Sequence, residues 1–173
     1  MVDPPPPIES SGVSVISTVE FYRASKARLT PDGVMVQWVP YGQTMDEFLA
    51  HVRSFLAVFP NVRVIAGAGG YGFYMIGSAG PVDLDPAALV TVLNRPGVLA
   101  DVNSAPDSNN RSAVTWAGLL TGLTWAADDE LRTAVGDGPV ITDDRPLPEY
   151  FIIRRIQNPN AQRLTRGALR DLL

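Results

Sequence analysis

The sequence predicts an α/β fold with a mainly parallel sheet and an antiparallel edge, and three observations support this prediction. Residues 34–39 form a short, continuous apolar run rich in β-branched residues, which is typical of a buried strand. A helix follows, because Thr44-Met45-Asp46-Glu47 is a capping box ahead of apolar residues at helical spacing. Two further strand-like runs, 62–66 and 72–76, flank a glycine-rich segment, which completes an α/β order.

The other elements are predicted from caps and breakers. Helices are expected from Thr18 to about Leu29, from Asp85 to about Leu93, and over 113–123, 128–135 and 161–173. Residues 140–153 are expected to be partly extended. We divide the chain into an α/β part, residues 1–153, and a C-terminal helical tail, residues 154–173.

Composition excludes several function classes. The chain has 173 residues, a net charge of −4 and no cysteine. Disulfides and thiolate metal sites are therefore excluded, and a nucleic-acid partner is disfavoured because no basic run would follow a phosphate backbone. No stretch reaches the roughly 18 apolar residues of a transmembrane helix. We expect no metal site, because the only histidine, His51, is predicted to lie solvated on the polar side of a helix.

The segment Gly67-Ala68-Gly69-Gly70-Tyr71-Gly72 matches the spacing of a dinucleotide-binding loop. Such a loop binds phosphate only where it opens a helix, whose first N–H groups face the pyrophosphate. Here the strand-like run 73–76 follows instead. The pattern therefore favours a hairpin loop over a phosphate site.

Asp3 precedes four consecutive prolines, Pro4 to Pro7, which hold the backbone extended. If a strand ends there, Asp3 lies where ligands bind in open α/β sheets, and its carboxylate could take a proton from an amine nucleophile. The alternative is a solvated acid near a chain end.

Two other groups of residues are candidates. Gln37, Trp38 and Tyr41 lie at or after the end of a strand, where they line either the same crevice as Asp3 or the core. Thr142-Asp143-Asp144-Arg145-Pro146 is the densest charged cluster. Asp143, Asp144 and Arg145 form either a structural turn or clamp, with Arg145 paired to one acid, or a binding site.

Taken together, several motifs resemble the spermidine synthase-like family of polyamine aminopropyltransferases. The resemblance covers about residues 1–153 and is weak in the middle. Its motifs are Val2-Asp3-Pro4-Pro5-Pro6-Pro7, Ser17-Thr18-Val19-Glu20-Phe21-Tyr22, the run 29–38, Phe55-Leu56-Ala57-Val58-Phe59-Pro60 and the run 142–147.

The resemblance implies the C-terminal half of a Rossmann-like, class I methyltransferase-like domain with an antiparallel edge hairpin around 67–72. It implies aminopropyl transfer from decarboxylated S-adenosylmethionine to a diamine such as putrescine, with Asp3 as the base. In the family a second acid follows three residues later, where this chain has Pro6, so the amine specificity is open. The localisation implied is cytoplasmic, or membrane-associated within a longer parent protein.

The family's nucleotide-binding residues would lie upstream of residue 1. We therefore expect this chain to bind no cofactor alone, to be inactive alone, to leave strand 34–39 with an unpaired edge, and to depend on a partner or form a homo-oligomer. Two alternatives stay open: a fragment of an S-adenosylmethionine-dependent methyltransferase-like enzyme, or a non-catalytic interaction module derived from this fold.

Overall fold

The structure, a computed structural model, describes residues 12–67, 72–82, 84–105 and 108–172. These residues divide into two compact units. The first contains the described residues up to Val82 together with those from Trp125 onward, and the second contains those from residue 84 to Thr124. Each unit is described by itself below.

The first unit contains all the strands and most of the helices. Its strands are β1 (Val34–Val39), β2 (Asn61–Ala66), β3 (Phe73–Ser78) and β4 (Thr124–Ala127), the last of which begins at the boundary of the unit. Its helices are α1 (Val19–Lys26), α2 (Met45–Leu56), α6 (Asp128–Val135), α7 (Phe151–Gln157) and α8 (Arg166–Leu172), with 3₁₀ turns at Val13–Ser17 and Leu147–Tyr150.

The four strands form one sheet in the order β1-β3-β2-β4. β3 pairs antiparallel with both β1 and β2, so the predicted parallel pairing is wrong for these strands. β1 and β2 do run in the same direction, but the returning strand β3 lies between them. An apolar run indicates that a strand is buried but does not indicate which strand it pairs with. The sequence pattern therefore could not predict the order of the strands in the sheet. β1 forms one edge of the described sheet, as expected.

The predicted hairpin between β2 and β3 is confirmed. Ala66 pairs with Phe73, and the Gly67 N–H donates to the Gly72 carbonyl at 3.0 Å. Gly72 has a φ of +73° and leads into a strand, so the segment does not open a helix as a dinucleotide-binding loop must. A side chain at Gly72 would collide with the carbonyl of Val39. Glycine is therefore required here by both conformation and space.

Helices α1 and α2 cover one face of the sheet and form the main core with it. Thr18 and Thr44 cap these helices as predicted, and Thr44 and Glu47 form the complete capping box. Phe48 and Phe55, both fully buried on α2, meet the rings of Phe73 and Tyr22 edge to face.

The C-terminal ends of α2 and α6 are capped by arginines that reach across to the other helix. Arg53 of α2 donates from Nε to the carbonyls of Val135 and Gly136, at 3.1 and 2.9 Å. Arg132 of α6 donates from Nη1 to the carbonyl of Leu56, the last residue of α2, at 3.3 Å, and from Nη2 to the carbonyls of Phe59 and Pro60, just beyond that helix, at 3.2 and 3.1 Å. Each guanidinium thus binds carbonyls at or just beyond the C-terminal end of the other helix, which is the negative end of its dipole.

We predict that Arg132→Ala lowers the free energy of unfolding by about 1–2 kcal/mol, because carbonyls of the other helix lose a charged donor. Chemical denaturation measured by circular dichroism gives this value. Arg28→Ala, which removes an exposed arginine just after α1, is the control and should change stability by less than about 0.5 kcal/mol. Equal effects of the two substitutions would contradict the capping role.

The C-terminal region differs from its predicted structure. Residues 147–153, expected to be partly extended, form the 3₁₀ turn and the first part of α7. The tail from residue 154 also belongs to the first unit, since Arg154 forms an ion pair of 2.6 Å with buried Glu47, and Leu164 is buried in the core. No helix in the described ranges combines the length and the apolar character needed to cross a membrane.

The second unit is helical and contains α3 (Pro86–Leu93), α4 (Val98–Val102) and α5 (Ala113–Gly122). Asp85 caps α3 as predicted, with its carboxylate accepting from the N–H groups of Ala87 and Ala88. A small core forms around Leu93, Ala113 and Ala117. The carboxamide oxygen of Asn103 accepts from the Trp116 indole N–H at 2.9 Å.

Candidate functional site

The residues predicted at the end of β1 do not face one crevice. Gln37 is 5% exposed and points into the core under α1, whereas Trp38 lies on the other face of the sheet, where its ring approaches Gly72. Tyr41 is half-buried against the core, with its ring 6.4 Å from that of Phe73. Asp3, the predicted base, lies outside the described residues.

Gln37 belongs instead to a buried polar cluster, which we call the Tyr22 network: Tyr22 on α1, Gln37 on β1 and His51 on α2. The Tyr22 hydroxyl lies 2.6 Å from Oε1 of Gln37 and 2.7 Å from Nε2 of His51. His51 is 2% exposed, so the prediction of a solvated histidine is wrong. His51 lies three residues after Phe48 and four before Phe55, and this helical spacing could have placed it on the buried face.

The hydrogen bonds of the network determine the tautomer of His51. The Tyr22 hydroxyl has one proton, and Oε1 of Gln37 can only accept, so the hydroxyl donates to Gln37. Nε2 of His51 must then carry its own proton and donate it to the Tyr22 oxygen. Nδ1 of His51 is consequently unprotonated, and it is buried without a hydrogen-bond partner.

Burial dominates the ionisation of both aromatic groups in the network. It lowers the pKa of His51 from 6.5 to about 3, because the charged imidazolium loses its hydration. It raises the pKa of the Tyr22 hydroxyl well above its usual value, an effect partly offset by side-chain hydrogen bonds with Ser17 and Gln37. Both groups are therefore neutral at pH 7.

The charged cluster at 142–145 forms a turn, as one of its two interpretations predicted. The backbone N–H of Arg145 donates to the carbonyl of Thr142 at 3.1 Å, and the hydroxyl of Thr142 donates to the Asp144 carboxylate at 2.6 Å. That hydrogen bond and one from its own backbone N–H lower the pKa of Asp144. In the described residues no ion pair joins Arg145 to either acid, so the turn is stabilised by the Thr142 hydrogen bonds and not by the predicted Arg145 clamp.

A cavity of about 320 Å³ lies between this turn and the 3₁₀ turn Val13–Ser17. We call it the acidic pocket; it is lined by Gly12, Ser14, Val15 and Thr18 on one side and by Asp143, Pro146 and Glu149 on the other.

Glu149 joins the two walls of the acidic pocket. Its carboxylate accepts from the N–H of Gly12 and from the hydroxyl of Ser14, each at 2.7 Å. Asp143 also lines the cavity, and its backbone N–H donates to Glu20 at 3.1 Å. The sequence analysis identified Asp143 but missed Glu149, whose partners lie some 135 positions earlier in the chain. No local pattern indicates such a contact.

Two acidic residues, Asp143 and Glu149, thus line the acidic pocket, and an acidic side chain can bind a cationic ligand such as an amine. No cluster of three or more histidine or acidic residues that could hold a metal ion occurs in the described part of the chain.

Comparison with known proteins adds no identification. No family model matches this chain, and no curated protein matches it. The resemblance to the spermidine synthase-like family therefore stays a prediction from the motifs.

Proposed function

We propose that this chain forms the amine-binding side of an aminopropyltransferase domain of the spermidine synthase-like type. The acidic pocket is the observation that supports the proposal most. It is lined by Thr18, which belongs to the Ser17–Tyr22 motif, and by Asp143 and Pro146, which belong to the 142–147 motif. Two of the motifs on which the resemblance depends thus line one cavity.

The sheet gives secondary support to this proposal. β1 and β2 run in the same direction, and the β2–β3 hairpin places a reversed strand between them. The resemblance implies an antiparallel hairpin at the sheet edge, and in the described sheet this hairpin is flanked by β1 and β4. In open α/β sheets ligands bind beyond the carboxyl ends of co-directional strands. The turn Val13–Ser17 lies beside the second half of β1, where Ile16 accepts from Gln37 at 3.4 Å.

In the proposed reaction the chain binds and deprotonates the amine. The amine nitrogen attacks the aminopropyl carbon bound to the sulfonium of decarboxylated S-adenosylmethionine. The new N–C bond forms as the C–S bond breaks, and the sulfur keeps the electron pair. The proton leaves the amine for the carboxylate of Asp3.

In the family a second acid stands at the position of Pro6. Asp143 and Glu149 are proposed to supply the negative charge of that missing acid. They would hold the amine end of the diamine that does not react, since an ammonium group is a strong donor to a carboxylate. Asp143 is the better probe of the two, because Glu149 also holds the walls of the pocket together.

Titration of the full chain with putrescine tests the proposal, by isothermal calorimetry or by amide chemical shifts. We expect Asp143→Asn to weaken putrescine binding about fivefold, the upper range for an exposed ion pair. Asp144→Asn is the matched control, because this neighbouring exposed acid bonds to Thr142 and does not line the cavity. Equal loss in the two variants, or no binding by the unmodified chain, would exclude the acidic pocket as the amine site.

A further inference from the structure

We infer that Tyr22 and His51 are positioning residues, which fix the turn Val13–Ser17 as a wall of the acidic pocket. The inference deepens the proposed function, because it says what sets the shape of the amine site. The positioning role depends on contacts in the core and not on whether the ligand is an amine. The positioning role and the proposed function can therefore fail separately.

The Tyr22 network contacts the turn at Ile16. Gln37, whose Oε1 accepts from the Tyr22 hydroxyl, donates from Nε2 to the carbonyl of Ile16 at 3.4 Å. His51 adds a second bond to that hydroxyl, at 2.7 Å, and so restricts its orientation. Three elements of the core, α1, β1 and α2, are thus linked through one hydroxyl to the carbonyl of Ile16.

The same turn presents its other residues to the acidic pocket. Ser14 and Val15 line the cavity, and so does Thr18, which begins α1 immediately after the turn. From the opposite side Glu149 holds Gly12 and Ser14. The wall is therefore fixed from the core by the Tyr22 network and from the pocket by Glu149.

A polar network in this position is not required by packing alone. Tyr22 and Phe55 already meet edge to face, with ring centroids 4.9 Å apart, and an apolar residue at 51 would avoid an unsatisfied Nδ1. What the polar atoms add is orientation: hydrogen bonds set the angle and distance between α2, α1 and the turn, which apolar contacts leave free.

Tyr22→Phe in the full chain tests the inference, because it removes only the hydroxyl. The readout is native-state hydrogen exchange at the amides of residues 13–18, compared with the amides of α2 and β3. We expect exchange at 13–18 to rise by about tenfold more than at the core amides, the effect of one lost buried hydrogen bond. Ser78→Ala, which removes another buried hydroxyl of the same unit, should leave this ratio unchanged.

Position 51 supplies a rescue test. His51→Gln keeps an N–H donor and should preserve the protection of residues 13–18, whereas His51→Leu should lose it. If exchange at 13–18 follows the core amides in every variant, the network only stabilises the core and the inference is overturned. If the exchange result holds but putrescine does not bind the unmodified chain, the proposed function fails and the positioning role stands.

Discussion

Gly77→Ala is expected to destabilise the protein by about 3 kcal/mol, one of the two largest effects we predict. Gly77 lies in β3, between β1 and β2, under the C-terminal half of α2. A Cβ atom there would stand 2.5 Å from Cε1 of Phe55 and 2.6 Å from Cγ of Phe59. Both rings are fully buried, with their centroids 4.7 Å apart, so neither can move aside without opening the core.

Denaturant unfolding of Gly77→Ala, followed by circular dichroism, measures this effect. Gly80→Ala is the control, since it lies just after the same strand and an added Cβ would meet nothing within 4 Å. We expect the control to change the free energy of unfolding by less than about 0.5 kcal/mol. A similarly small change for Gly77→Ala would show that α2 does not pack on β3 as closely as described here.

The second large effect is a loss of stability in acid that originates from His51. Its pKa is about 3 in the folded protein and 6.5 when exposed, so the unfolded state takes up a proton more readily. The contribution of neutral, buried His51 to the free energy of unfolding is complete above pH 6.5 and is lost progressively as the pH falls towards 3. Between pH 7 and pH 4.5 the free energy of unfolding should fall by about 2–3 kcal/mol from this residue alone.

Comparison with His51→Gln isolates this contribution, because the variant keeps a donor and has no titrating ring. The free energy of unfolding is measured for both proteins at several pH values from 7 to 4.5. Between pH 7 and pH 4.5 the difference in free energy of unfolding between the two proteins should change by about 2–3 kcal/mol. The carboxylates titrate in both proteins and therefore do not contribute to this difference. Parallel curves would mean that His51 is hydrated in the folded protein.

Local elements were predictable because their causes are local. The caps at Thr18, Thr44 and Asp85 each appear in the sequence as a residue that can accept from N–H groups two or three positions later. The glycine-rich segment was identified as a hairpin because a strand follows it. These predictions needed no knowledge of any distant residue.

The predicted parallel pairing and the extended prediction for 140–153 failed because both depend on contacts distant in the sequence. β-branched runs indicate burial, but the neighbour of a strand depends on how the whole chain folds. Residues 147–153 were expected to be partly extended, yet they form the 3₁₀ turn and the start of α7. That helix is fixed by the ion pair of Arg154 with Glu47, whose partners are 107 positions apart.

The candidate site was only half visible in the sequence. Asp143 was identified as part of a charged turn, but the cavity it lines needs residues 12–18, more than a hundred positions earlier. The Tyr22 network was missed because each of its members looks ordinary by itself. The spacing of His51 from Phe48 and Phe55 indicates a buried position, but its hydrogen-bond partner Tyr22 lies on another helix.

The reciprocal arginines at the ends of α2 and α6 imply that these two helices lose their structure together. Melting the last turn of α6 withdraws Arg132 from the carbonyls after α2, and melting the last turn of α2 withdraws Arg53 from Val135. Neither end can fray without releasing the other. The final amides of both helices should therefore open as one cooperative unit, although 79 positions of sequence separate the two arginines (132 − 53 = 79).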